Sequence, residues 1–217
     1  MAVQALLFDL DGTLIDSMPH HGSAWAQWHA RRGLPFDEDS FFARTAGRTN
    51  AEILADMLPG ASEQELKALG DEKERLYRDI AARSLELIAG FERVRSAARG
   101  RGLKLAICTA APLENIAVAN ARFGLDQQVD TIVSPADGLR GKPHPDIFLE
   151  AARRLGVPAA ACVVFEDAPL GVEAARRAGM KAVALTTSLA ATDFESFDNL
   201  IAAIPDFTAL DLSALTP

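Results

Sequence analysis

Apolar runs and helical patterns alternate along the second half of this chain, and that alternation limits the folds open to it. Lys104 to Thr109, Asp130 to Ser134, Ala161 to Glu166 and Lys181 to Thr186 are short and β-like. Helical patterns separate them. Pro112 to Phe123 ends at Gly124, Pro145 to Leu155 at Gly156, and Ala168 to Ala178 at Gly179. Proline's missing N–H is harmless in a first helical turn, and glycine takes the left-handed conformation that closes a last one. Strand alternating with helix predicts a parallel sheet in a doubly wound α/β fold.

A fifth β-like run, Gln4 to Asp9, opens the chain. Far more residues separate it from the next run than one crossover needs. That interval reads as helical throughout. Ser17 to Arg32 carries Met18, Trp25 and Trp28 and ends at Gly33. Thr49-Asn50-Ala51-Glu52 and Ser62-Glu63-Gln64-Glu65 have the form of capping boxes, so a helix should start at each. Arg83 to Gly102 returns the chain to the sheet. The expected organisation is a Rossmann-like core of residues 1–16 and 85–217, with residues 17–84 inserted as a helical cap domain over the catalytic edge.

Length and composition are consistent with this. At 217 residues and 49% hydrophobic content, the chain can bury one sizeable core with an insert. No run reaches the roughly 18 apolar residues of a membrane span, and nothing resembles a signal peptide. A net charge of −8 argues against a broad nucleic-acid or anionic-membrane surface. Cys108 and Cys162 lie in apolar strand-like runs and fit buried, reduced thiols in a cytoplasmic protein. The sequence leaves oligomeric state open.

The chemistry gathers at the predicted strand ends. Ala5-Leu6-Leu7-Phe8 leads into Asp9-Leu10-Asp11-Gly12-Thr13-Leu14. Open α/β sheets place their chemistry at that carboxyl edge. Asp9 and Asp11, two apart on an extended chain, should point the same way. Like charges that close need a cation, a shared proton or a phosphoryl group. Gly12 allows a sharp turn, and the Thr13 hydroxyl can help satisfy the carboxylates. Thr109 ends the second run, Lys142 sits in the Gly141-Lys142-Pro143 loop before a helix, and Glu166-Asp167 ends the fourth run. Singly, each has an ordinary reading: a strand threonine, a solvated loop lysine, a helix N-cap with a first-turn acid. Together, at consecutive strand-to-helix edges, they form what phosphoryl transfer requires. Mg²⁺ would find oxygen ligands in Asp9, Asp167 and the Asp11 carbonyl. Lys142, Thr109 and N–H groups of the loop at Ala110 would neutralise phosphoryl charge. Asp9 could attack phosphorus, and Asp11 could serve as general acid and base.

Over nearly its whole length the chain resembles the haloacid dehalogenase (HAD) superfamily, and within it the β-phosphoglucomutase-like and sugar phosphatases with a small helical cap. The resemblance rests on Asp9-Leu10-Asp11-Gly12-Thr13, Thr109, Lys142 and Glu166-Asp167. It implies a nucleophile and metal ligand in Asp9, a general acid/base in Asp11, phosphate binding by Thr109, Ala110 and Lys142, and Mg²⁺ held by Asp9, Asp11, Glu166 and Asp167. It also implies a sheet with the first strand central and the second and fourth beside it. Cys108 and Cys162 would then sit two strands apart, roughly 9–10 Å, too far for a disulfide. Dehalogenases and phosphonatases lack the second aspartate, so Asp11 favours phosphoester chemistry.

Selectivity should lie in the cap. His21 is one helical turn before Trp25 and shares its face, either as a boundary residue or, by the resemblance of Asp16-Ser17-Met18-Pro19-His20-His21, as the histidine that couples sugar binding and cap closure to the acid/base. Lys73, between Glu72 and Glu74, reads as a solvated helix lysine from its neighbours, and by the resemblance as a sugar contact. Arg48, Thr49 and Asn50 form either a structural turn or a loop that reads a hydroxylated substrate. Two departures separate the chain from the mutases. The position of their distal-phosphate arginine falls on Asn50, and Ala110-Ala111-Pro112-Leu113 offers no side-chain donor. The expectation is a Mg²⁺-dependent phosphatase of a small phosphorylated metabolite, which the resemblance implies is a sugar phosphate. The alternatives are a β-phosphoglucomutase-type mutase and a non-catalytic metabolite-binding protein on the same fold.

Overall fold

In the computed structural model, which describes residues 2–45 and 48–215, Ala5–Phe8 form strand β1 with all four side chains wholly buried. A strand apolar on both faces needs cover on both, as parallel sheets provide. The sheet has six strands, adding β2 (Lys104–Cys108), β3 (Thr131–Val133), β4 (Cys162–Glu166), β5 (Lys181–Leu185) and β6 (Leu200–Ile204). Their order is β3-β2-β1-β4-β5-β6, and all five pairings are parallel. Cys108 and Cys162 are buried free thiols on the two strands flanking β1.

The chain divides into two compact units, Met1–Asp16 with Glu86–Pro217, and Ser17–Leu85. In the sheet unit, alternate residues of β1 face opposite sides. Leu7 joins Ala106, Cys108, Val164 and Phe148 in one core cluster. Phe8 stacks on Phe165 at 4.8 Å between ring centres and meets Phe91 edge-on at 5.6 Å. Phe148 belongs to helix α7 (Asp146–Leu155) and Phe91 to helix α5 (Phe91–Gly100). The remaining long helices of this unit are α6 (Leu113–Phe123) and α8 (Pro169–Arg177). Where the chain leaves and re-enters the unit, the Asp16 N–H donates to the Glu86 carbonyl at 2.9 Å, and Ile15 pairs with Leu87.

The inserted unit comprises α1 (Met18–Ala30), α2 (Glu38–Thr45), α3 (Asn50–Met57) and α4 (Glu63–Ser84). Both capping boxes are formed, Thr49 with Glu52 and Ser62 with Glu65, and they start α3 and α4. Trp25, Trp28 and Tyr77 are buried. No helix among the described residues is long and apolar enough to cross a membrane.

Two elements escaped the sequence pattern. Strand β6 is a partly exposed edge strand between Asn199 and Pro205, joined to β5 by only a short helical turn at Ala191–Phe194. Without a crossover helix before it, the alternation that marks the other strands is missing. Helix α2, short and rich in polar residues, lacks a long apolar stripe.

Candidate active site

Strand register assembles the site. Phe8 lies level with Ile107 on β2 and Phe165 on β4. One residue further, the Asp9 N–H donates to the Phe165 carbonyl at 3.0 Å, so Asp9 emerges beside Glu166. The sheet grows from β1 to β2 and β3 on one side and then to β4, β5 and β6 on the other, which makes the carboxyl end of β1 the switch point of the sheet. Beyond Asp9 the backbone turns instead of continuing extended. The N–H groups of Thr13, Leu14 and Ile15 all point to the Leu10 carbonyl, and Gly12 adopts a φ of +71°. The chain thus bends at Leu10, between the two aspartates, and Asp11 forms an isolated bridge with Ile15. Asp11 is half-buried in the turn, near enough for its charge to raise the pKa of Asp167.

Asp9, Glu166 and Asp167 bring carboxylate oxygens within 4.8 Å of one another, all buried. The Lys142 ammonium pairs with Asp9 and lies 2.5 Å from Glu166 Oε1. Asp167 accepts from Ser188 Oγ at 2.5 Å and from Thr13 Oγ1 at 3.4 Å, while Thr187 Oγ1 donates to the Gly12 carbonyl at 2.5 Å. Two glycines leave room for these acids. A Cβ on Gly12 would fall 2.2 Å from Asp167 Oδ2, and one on Gly171 of α8 would fall 1.9 Å from the Glu166 carboxyl carbon. Thr109, just past β2, is buried; its N–H donates to the Val133 carbonyl and its hydroxyl oxygen accepts from the Ala111 N–H at 2.9 Å. That leaves the hydroxyl proton for an anion. Ala110 beside it is exposed.

Burial raises Asp9 well above the ordinary carboxylate range; Lys142 opposes this, and the charges of Glu166 and Asp167 add to it. Burial, then the Glu166 charge, pushes Asp167 up to about 7. For Lys142, burial disfavours the ammonium, but Asp9 and Glu166 outweigh it and hold the pKa above the usual lysine range. One ammonium thus faces three crowded acids, an arrangement that a hard, oxygen-seeking cation would relieve.

The other sequence-predicted residues lie in the helical unit. Lys73 is not solvated; it is 2% exposed, with Nζ 2.6 Å from His21 Nδ1 and 2.9 Å from Glu74 Oε1. His21 stacks flat on Tyr77 at 3.9 Å. Asn50 Nδ2 donates to Glu74 Oε1 at 2.6 Å. Arg48 pairs with Asp56 at 2.7 Å and donates to the Glu52 carbonyl at 3.1 Å. Thr49 is committed to its capping box.

A family model described as haloacid dehalogenase-like hydrolase matches residues 3–179. The chain belongs to the haloacid dehalogenase-like hydrolases. It is 35% identical over 192 residues to validoxylamine A 7'-phosphate phosphatase from Streptomyces hygroscopicus subsp. limoneus, covering 84% of this chain and 85% of the relative. It is 34% identical over 184 residues to the fructose-1-phosphate phosphatase YqaB of Escherichia coli (82% and 94% covered). Among solved structures, a family IA HAD hydrolase from Entamoeba histolytica superposes with a TM-score of 0.91 at 30% identity, covering 98% of this chain and 97% of that one.

Within this family frame, Thr187 and Ser188 are the site residues that sequence reasoning passed over. The hydroxyl run Thr186-Thr187-Ser188 directly after a fifth strand, at the same sheet edge, was the available signal.

Proposed function

We propose that this hydrolase is a Mg²⁺-dependent phosphatase of a small phosphorylated metabolite, a sugar phosphate, working through an aspartyl-phosphate on Asp9. The observation that carries the reading is the buried Asp9, ion-paired to Lys142 beside Glu166 and Asp167 at the switch point. The names of the two phosphatase relatives support the substrate class. The buried free thiols suit a reducing, cytoplasmic setting.

The donor set fits Mg²⁺: all the clustered ligand atoms are hard carboxylate oxygens, and glycines keep the space around them open. Asp9 and Asp167 would hold the ion with the Asp11 carbonyl, and Glu166 would support it. Bound there, Mg²⁺ supplies positive charge against the carboxylates and the phosphoryl oxygens.

The protein's own groups perform the transfer. An Asp9 carboxylate oxygen attacks phosphorus, the bond from phosphorus to the sugar oxygen breaks, and Asp11 gives that oxygen its proton. Asp11 then takes a proton from water as the water oxygen attacks phosphorus. The Asp9–phosphorus bond breaks, releasing phosphate and restoring both aspartates. Lys142 and the Thr109 hydroxyl bind the phosphoryl oxygens, with N–H groups at Ala110.

Hydrolysis is favoured over mutase chemistry because a distal phosphate has few anchors. Ala111, Pro112 and Leu113 offer no side-chain donor, Arg48 is paired with Asp56, and Lys73 is engaged by His21 and Glu74. We assign substrate selectivity to the helical unit, through His21. Phosphate release from a panel of sugar monophosphates, with chelator and with Mg²⁺ restored, tests the proposal. Release that needs Mg²⁺ is expected; no release from any sugar phosphate, or release indifferent to chelator, would reject it.

A further inference from the structure

Strand β5 ends at Leu185, and the chain turns at once through Thr186 and Thr187. Edge strand β6 fixes where that turn begins, since the Thr186 N–H donates to the Ile204 carbonyl at 2.8 Å. Glu166 on β4 lies level with Ala184 on β5, so the turn leaves the sheet just past the level of Asp167. It delivers two hydroxyls to two different segments of the site, all within the sheet unit. Ser188 Oγ donates to Asp167 Oδ2 at 2.5 Å, a length typical of a hydroxyl bound to a charged carboxylate. Thr187 Oγ1 donates to the Gly12 carbonyl at 2.5 Å.

An aspartate's last torsion is broad and roughly two-fold, so the plane of its carboxylate must be set by its partners. Ser188 holds one oxygen of Asp167. The Thr13 hydroxyl, 3.4 Å from the other oxygen, is too distant to do as much. The turn after β1 is pinned on both sides of Gly12. The Gly12 N–H donates to the Ile15 carbonyl at 2.9 Å, and because the peptide is planar and trans this directs the Asp11 carbonyl the opposite way. Thr187 fixes the next peptide through the Gly12 carbonyl. Packing leaves these parts no slack: a Cβ on Gly12 would stand 2.2 Å from Asp167 Oδ2 and 3.0 Å from Ser188 Oγ. Mg²⁺ demands near-ideal octahedral geometry, so it gains from ligands whose directions are already set.

We propose that Ser188 and Thr187 are positioning residues for the cation site: Ser188 sets the plane of Asp167, and Thr187 holds the turn bearing Asp11 against it, so that the ligands stand in place before Mg²⁺ binds. The role rests on the phosphatase reading for the cation and for nothing else. Neither hydroxyl is needed as a ligand; each acts through the group it holds.

The test titrates Mg²⁺ calorimetrically into the full-length protein without substrate. Ser188→Ala removes the hydroxyl and little bulk, and is expected to weaken Mg²⁺ binding by about 10- to 100-fold, the usual weight of a group that orients a metal ligand. Thr187→Val keeps the shape and removes the hydroxyl. Acting through one neutral backbone bond, it should cost about 3- to 10-fold, and it carries the test if Ser188→Ala does not fold. In each variant the Mg²⁺ concentration that half-saturates sugar-phosphate turnover should rise by the same factor. A merely structural contact would lower the melting temperature in chelator and leave the Mg²⁺ affinity of the folded protein alone. Mg²⁺ affinity equal to wild type in either variant, or a wild type that binds no Mg²⁺, would overturn the proposal. The titration needs no substrate. A wild type that binds Mg²⁺, and variants that lose it as expected, in a protein that releases no phosphate would count against the phosphatase reading alone.

Discussion

Gly171 lies so close to Glu166 that a methyl group on it would fall 1.9 Å from the glutamate's carboxyl carbon. Glu166 is 1% exposed and paired with Lys142, so it has no open space to move into. Alanine normally favours a helix over glycine by about 1 kcal/mol. Here the overlap should win, because overpacking a rigid site costs about 1–3 kcal/mol. Gly171→Ala is expected to lower the melting temperature, weaken Mg²⁺ binding in a calorimetric titration and reduce turnover by about tenfold or more. Turnover and Mg²⁺ affinity equal to wild type would show that Glu166 is not held where the packing puts it.

Asp11 should matter in proportion to how badly the leaving group needs a proton. A sugar alkoxide is a poor leaving group, and an activated aryl oxide departs without help. Asp11→Asn is therefore expected to slow sugar-phosphate hydrolysis by about 10²- to 10⁴-fold and aryl-phosphate hydrolysis far less. Parallel kinetics on the two substrate types give the answer. Equal losses would remove Asp11 from the acid/base role.

Much of the sheet was legible because each strand carries a local signal. Short apolar runs such as Ala5 to Phe8 and Cys162 to Phe165 read as interior strands from their length and β-branched and aromatic content, and Gly124, Gly156 and Gly179 punctuate the helices. Strand β6 was not legible, since its place depends on pairing with β5 and on no crossover helix. Within the site, Asp9, Glu166 and Asp167 could be picked from their positions at strand ends and Lys142 from its loop before a helix, and the structure brings them together. The bend at Leu10 could not, because the apolar run of Ala5 to Phe8 gives no sign of where the extended chain stops. Burial of Lys73 was equally hidden: Glu72 and Glu74 look like signs of solvent, yet Glu74 turns inward to the lysine while Glu72 pairs with Arg32.

Hydrolysis should dominate over return of the phosphoryl group to a second hydroxyl. Each charge-assisted contact to a phosphate is worth about 1.5–3 kcal/mol, so two missing anchors shorten a bisphosphate's residence by about two to four powers of ten. Arg48 is already bonded to Asp56 and to the Glu52 carbonyl. With β-glucose 1-phosphate, free phosphate should exceed the 6-phosphate product, and Arg48→Ala should change phosphate release little. Isomerisation faster than phosphate release, crippled by Arg48→Ala, would establish Arg48 as a distal anchor and the enzyme as a mutase.

The role of Asp9 can be read chemically. Wild-type enzyme is mixed with a sugar phosphate and Mg²⁺, quenched in acid within a single turnover, and its peptides are weighed. A phosphoryl group is expected on the peptide that carries Asp9, decaying as free phosphate rises. Asp9→Asn should form neither, since an amide is no carboxylate nucleophile and a poorer Mg²⁺ ligand. Phosphate released with no phosphorylated Asp9 peptide at any time, or by an Asp9→Asn protein that keeps more than a few per cent of activity, would contradict nucleophilic catalysis by Asp9.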